Sequence, residues 1–237
     1  MSEPVLESLT LELPDGPLPA TLARPHAPTG GGVVVIHDIT GFRADTLRHL
    51  RHLADAGLTA IAPDLFGRYR IGCVVKTLAS MVTGRGFALT AIEAARAALV
   101  ERAEVDADRI GVMGFCMGGG FALLSAADGE FAVCAPFYGP VPPKAERLRG
   151  ICPVIAGFGG QDMLFASHAA RLERHLTALG VPHIVRLHPE AGHSFMNDHP
   201  DPLFALARYT PVRSRYLPEL EAESFWEMLG FFAEHGV

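Results

Sequence analysis

Three short segments carry residue types that could perform acyl transfer together. Gly114-Phe115-Cys116-Met117-Gly118 sets a cysteine between glycines two residues to either side, the G-x-C-x-G form of a nucleophile elbow with a thiol replacing the usual serine. Such a nucleophile sits on a sharp strand-to-helix turn, where a Cβ two residues away on either side would clash. The following helix N-terminus favours a thiolate at that position, and the Met117 N–H points to where an oxyanion would form. Downstream, Gly159-Gly160-Gln161-Asp162 offers an acid and Gly192-His193-Ser194-Phe195 a histidine. Nucleophile, acid, histidine is the order expected for a triad built on an elbow of this kind. A second oxyanion donor belongs to the first strand-end loop, His37-Asp38-Ile39-Thr40-Gly41, where the Ile39 N–H is the best placed. Each segment also has a plainer use. Cys116 could be a packed thiol in a glycine-rich turn, Asp162 a turn residue, and Asp38 a loop-capping acid.

Cys116, Asp162 and His193 are 46 and 31 residues apart, so only the fold can bring them together. Apolar strand patterns alternate with helical ones along the chain. Val33 to Ile36, Leu58 to Ala62, Arg109 to Met113, Ala132 to Phe137, Pro153 to Phe158 and His183 to His188 read as strands. Leu47, Leu50 and Ala54 repeat at helical spacing, as do Ala88, Ile92, Ala95 and Leu99, and Phe165, Ala169, Leu172, Leu176 and Leu179 before Gly180. Phe121 to Ala127 and Phe225 to Phe232 complete the helical set. This alternation predicts an α/β fold, a mostly parallel central sheet with helices on both faces, as a single domain over residues 1–237. In such sheets functional residues gather beyond the carboxyl ends of the strands, where all three segments fall. Residues 67–86 and 194–218 show no clear element, and either could cover the site.

Composition narrows the function classes. With 49% apolar and 19% charged residues the 237-residue chain can bury a large core. A formal net charge of −6 and scattered arginines leave no basic stripe to displace phosphate counterions, so nucleic acid is not an expected partner. The acidic start, MSEPVLESLT, lacks the basic and apolar regions of a signal peptide, and no run reaches the roughly 20 apolar residues of a membrane span. Cys73, Cys116, Cys134 and Cys152 form no CxxC pair, which fits a reducing, cytoplasmic setting. Cys73, Cys134 and Cys152 read as core or boundary thiols. His49, His52, His168 and His175 read as surface or boundary residues of helices. His188, His193 and His199 lack the spacing of a helical metal pair, so no metal is expected there.

Taken together, the segments resemble the dienelactone hydrolase family of the α/β-hydrolase fold over nearly the whole chain. The likeness runs through His37-Asp38-Ile39-Thr40-Gly41, Pro63-Asp64-Leu65, Gly114-Phe115-Cys116-Met117-Gly118-Gly119, Gly159-Gly160-Gln161-Asp162 and Gly192-His193-Ser194-Phe195. The resemblance implies a Cys116–Asp162–His193 triad hydrolysing dienelactone to maleylacetate without metal or organic cofactor. It also implies that Asp38 stands where the family holds the resting thiol with an acid, usually a glutamate one methylene longer. Substrate-carboxylate arginines are implied as well: Arg68, Arg70 and Arg85 compete for one position, and Arg208 is the first arginine after His193.

Three functions follow as expectations. The first is hydrolysis of a dienelactone-like lactone or ester through a thioester acyl-enzyme. The second is a general carboxylesterase or thioesterase with the same triad. The third is a non-catalytic binder or thiol redox sensor, which would need neither Asp162 nor His193. The expected partner is a small-molecule ester or lactone, with no nucleic acid and no membrane, and the chain is expected as a monomer or homodimer.

Overall fold

The computed structural model describes residues 4–67, 71–199 and 206–237. Its strands are β1 (Val5–Leu11), β2 (Leu18–Arg24), β3 (Gly32–Ile36), β4 (Thr59–Pro63), β5 (Ile110–Phe115), β6 (Val133–Phe137), β7 (Val154–Gly159) and β8 (His183–His188). They join in one sheet in the order β1-β2-β4-β3-β5-β6-β7-β8. Every pairing from β4 to β8 is parallel, and β1 and β2 add an antiparallel hairpin at one edge. This is the α/β-hydrolase fold that the sequence predicts.

The helices are α1 (Ala44–Asp55), α2 (Ile71–Thr83), α3 (Phe87–Val100), α4 (Met117–Asp128), α5 (Ala166–Leu179) and α6 (Pro218–Glu234). Strand period decides which face each sheds its side chains on. In β3, Val34 and Ile36 join α3, α4 and α5 in one apolar layer, while Val33 and Val35 join α1 and α6 in the other. The parallel strands are buried on both faces, which is why they read as continuous apolar runs rather than alternating ones. The sheet's order reverses at β3: the chain goes out to β4, then returns to β5 on the other side. The crevice between the carboxyl ends of β3 and β5 is the place where such folds bind ligands.

The hairpin β1–β2 went without a sequence assignment, although Pro14-Asp15-Gly16-Pro17 is turn chemistry; Gly16 sits at φ 107 and donates to the Leu13 carbonyl at 2.9 Å. Residues 67–86 contain α2, whose Val74 and Met81 pack against the apolar layer that α3 shares. His49 departs from the surface role expected of it. It is fully buried, stacked on Phe115 with ring centroids 4.3 Å apart. Arg68 and Arg70 lie outside the described residues. No described helix is long and apolar enough to cross a membrane.

Ala88, Ile92, Ala95 and Leu99 are all fully buried on the inner side of α3. Ile92→Ala removes three carbons from this layer and leaves a cavity. It is expected to lower stability by about 2–5 kcal/mol, read as a lower urea midpoint with an unchanged m value.

Candidate active site

The turn from β5 into α4 holds Cys116 at φ 52, ψ −117, a conformation that costs a non-glycine residue about 1–3 kcal/mol. Backbone bonds enforce it. Cys116 N–H donates to the Phe137 carbonyl at 3.0 Å, and its own carbonyl accepts from Gly119 and Gly120 at 3.0 and 3.2 Å. The flanking glycines are sterically required: a Cβ on Gly114 would lie 2.2 Å from the Gly118 carbonyl oxygen, and one on Gly118 would lie 2.3 Å from that of Ile36. The result is a half-buried, unpaired thiol at the head of α4. Met117 opens that helix, so its N–H has no acceptor one turn back.

Asp162 follows β7 and is completely buried. One carboxylate oxygen accepts the amides of Leu164 and Phe165 at 3.0 and 3.2 Å, and the other takes the His193 Nδ1–H at 2.6 Å. These three donors fix both the acid and the histidine tautomer. The Cys116 side chain lies near enough to the His193 ring to act on its pKa. Burial alone would lower the His193 pKa, but the bond to Asp162 and the proximity of Cys116 overcome it and raise it to about 9. The structure therefore bonds His193 to Asp162 and sets Cys116 near the same ring, at the carboxyl rim of the sheet.

His193 is also held by its backbone. Its N–H donates to Val212 and its carbonyl accepts from Arg215, while Leu217 donates to Phe195. Part of the stretch that sequence could not assign is thus a strap laid along the histidine loop. Gly192 makes room for it, because a Cβ there would sit 1.8 Å from the Arg213 carbonyl oxygen. Tyr138 and Phe165 pack against the imidazole at 5.0 and 5.2 Å. Sequence reasoning gave neither a role. Tyr138 is fully buried at φ 43, and its hydroxyl has no hydrogen-bond partner among the described residues. Burial, reinforced by the negative charge of Asp38, raises its pKa well above the ordinary value, so it stays a neutral phenol.

The loop after β3 carries Ile39, which is 55% exposed. Its shape is set by Asp38, whose Oδ1 accepts the Thr40 N–H at 2.8 Å and the Thr40 hydroxyl at 2.5 Å. Asp38 Oδ2 accepts from Asn197 at 2.8 Å and faces His199 Nε2 at 3.3 Å. These contacts are those of the loop-capping alternative. His37 pins the same loop to the next, its Nδ1–H on the Asp38 carbonyl and its Nε2 accepting from Leu65. Burial lowers the His37 pKa, which keeps the ring neutral and able to accept that bond. Of the arginines expected near a substrate carboxylate, Arg85 is exposed between α2 and α3 and Arg208 stacks on Tyr209. No guanidinium is bonded to Cys116, Asp162 or His193 among the described residues.

Residues 18–236 match the dienelactone hydrolase family. A carboxymethylenebutenolidase from Rhodococcus opacus is 31% identical over 195 residues, covering 76% of each chain. One from Pseudomonas putida is 26% identical over 198 residues, covering 76% of this chain and 80% of its own. The crystal structure of a promiscuous, dienelactone hydrolase-like phosphotriesterase from metagenomic libraries superposes with a TM-score of 0.82 at 24% identity, covering 99% of both chains.

Two glycine substitutions test the packing of the strap. Gly192→Ala drives a Cβ into backbone and is expected to destabilise by about 1–3 kcal/mol. Gly230→Ala, inside α6 with nothing within 4 Å of the added carbon, is expected to stabilise by about 0.5–1 kcal/mol. Urea denaturation of both reads the contrast.

Proposed function

The chain belongs to the dienelactone hydrolase family and is a carboxylic ester hydrolase, and on that premise we propose that it cleaves a lactone or ester through a Cys116–His193–Asp162 triad and a thioester acyl-enzyme. The observation that carries this reading is the 2.6 Å bond from His193 to a buried Asp162, with the Cys116 side chain near enough to raise the pKa of the same ring. With its pKa near 9, His193 holds a proton at neutral pH, and an imidazolium beside the sulfur suits a thiolate nucleophile.

The thiolate attacks the carbonyl carbon, and the oxyanion accepts from the Met117 and Ile39 N–H groups, each such donor contributing about 2.7–4 kcal/mol to lowering the barrier. Collapse breaks the ester C–O bond and the leaving oxygen takes the proton from His193. In a lactone that oxygen stays on the acyl chain. Neutral His193 then accepts a proton from water as it attacks the thioester, and the sulfur departs as thiolate, restoring the ion pair. Asp162 keeps the Nδ1–H tautomer and stabilises the imidazolium. A hydrolase activity removes the reading of the chain as a non-catalytic thiol sensor.

A general carboxylesterase or thioesterase remains the second reading of the same triad. It is favoured by the placement of two of the expected arginines, Arg85 exposed between α2 and α3 and Arg208 stacked on Tyr209, since a small carboxylate is hard to hold without a guanidinium. Comparing kcat/KM for dienelactone, p-nitrophenyl esters and acyl thioesters decides between the two. A preference for dienelactone over uncharged esters supports the first, and indifference to the carboxylate supports the second.

Cys116→Ala is expected to lower kcat/KM about 10³-fold or more on every substrate of that panel; full turnover in this variant would end the triad reading. The pH profile adds an independent check. Because the His193 pKa is raised in the fold, the stability its protonated form contributes is fully present below about 6.5 and is lost as pH rises through about 9. The kcat/KM profile should therefore show a basic limb near pH 9, and the stability contributed by this group should fade over the same 6.5 to 9 window.

A further inference from the structure

On the α1–α6 side of the sheet, His49, His52 and Glu221 point ligand atoms at one another, all within 4.8 Å. His49 is fully buried and Glu221 nearly so, while His52 is half-buried. The three stand apart from the cysteine chemistry, and the mechanism gives none of them a part.

The hydrogen bonds settle which nitrogen of His49 is free. Asn197 Nδ2 donates to the Asp38 carboxylate at 2.8 Å, so its Oδ1 is the end that meets His49 Nε2 at 2.9 Å. An amide oxygen can only accept, so Nε2 carries the proton and Nδ1 presents a lone pair. That Nδ1 is buried with no hydrogen-bond partner among the described residues. It faces Glu221 Oε1 at 3.7 Å. Burial, the largest effect, lowers the His49 pKa to about 4, so this is not an ion pair at neutral pH. Two electron-rich atoms confront each other in a buried place, with the imidazole already held from behind by an amide oxygen. Metal-binding histidines are held in this way.

We propose that His49 Nδ1, His52 and Glu221 form a site for a divalent transition-metal ion, zinc foremost. Two imidazoles and one carboxylate suit that class rather than calcium or magnesium. Ligand atoms on one zinc lie about 2.0–2.2 Å from it, so the widest separation must close slightly, and rotation of the half-buried His52 ring supplies this. Glu221 keeps its bonds from Arg48 Nε at 3.1 Å and Tyr216 Oη at 2.5 Å, which hold the carboxylate in place while Oε1 retains a second lone pair. His52 and Glu221 also line a cleft of 390 Å³ with Asp55, Ala56, Phe225 and Trp226. The remaining coordination position opens into that cleft, to water or a small anionic or nitrogenous ligand. Through Asn197 the ion is one side chain away from Asp38 and the loop of Ile39.

The test uses the full chain carrying Cys116→Ser, which removes the reactive thiolate as a competing ligand, stripped with EDTA and desalted. Zn²⁺ is titrated by calorimetry, and Co²⁺ by quenching of Trp226, the single tryptophan of the sequence. The expected result is saturable binding of one equivalent of each ion, a higher Tm with Zn²⁺, and affinity weakened about tenfold or more in both His52→Ala and Glu221→Gln. His188→Ala, at a histidine outside the cluster, should bind as the parent does. If Glu221→Gln fails to fold by circular dichroism, His52→Ala decides, because alanine suits its helical position. Absence of one-equivalent binding, or parental affinity in a folded His52→Ala, overturns the proposal. None of these readouts depends on ester hydrolysis, so the outcome is independent of the triad.

Discussion

The backbone conformation at residue 116 is the constraint from which the rest of this structure follows. A side chain held at φ 52 projects away from the sheet only because α4 begins almost in contact with β3 and β5, close enough that a methyl group on Gly114 or Gly118 would overlap backbone oxygen. That proximity dictates the small residues of α4, Gly118-Gly119-Gly120, and the apolar strands beneath it. The strain is not isolated. Among the described residues the non-glycine positions with positive φ are Cys116, Tyr138, Ser194 and Arg213. Tyr138 packs on His193, Ser194 follows it, and the Arg213 carbonyl approaches Gly192. Backbone strain concentrates where a structure over-determines geometry for function, and here the four positions fall at the elbow, at the histidine loop and at the strap beside it.

What the sequence disclosed and what it withheld divide along physical lines. Buried parallel strands and amphipathic helices announce themselves by period, so β3 to β8 and α1, α3, α4 and α5 were legible within a few residues, while α6 begins at Pro218, seven residues before the expected Phe225. The elbow was legible because steric demand forces glycine at fixed offsets from Cys116. Order along the chain then singled out Asp162 and His193. The strap was not legible, because its contacts with residues 193–195 are backbone hydrogen bonds, which leave no mark on side-chain types. Tyr138 was hidden for a related reason: it looks like one more apolar residue ending β6, and only its φ and its neighbours distinguish it. His49 was misread because a histidine on a helix is usually at the surface. Its burial depends on Asn197, 148 residues away, a pairing that no local pattern encodes.

Asp38 holds two loops of the site rim together through its two carboxylate oxygens. An aspartate can fold back to accept the amide two residues on, as it does with Thr40 at 2.8 Å, closing a local ring that a glutamate forms less readily. Once Oδ1 is committed to Thr40, Oδ2 is left to face the interior, where Asn197 and His199 meet it. Asn197 lies only four residues beyond His193, so the loop that sets the histidine also sets the acid that shapes the Ile39 turn. The two halves of the rim are therefore not independent. A displacement of residues 193–199 would move the imidazole and, through Asn197 and Asp38, the backbone N–H groups opposite it. Asp38 thereby couples the histidine loop to the first strand-end loop. The buried His49 ring, bonded to the other end of the same amide and stacked on the residue before Cys116, ties that coupling to the third element of the site.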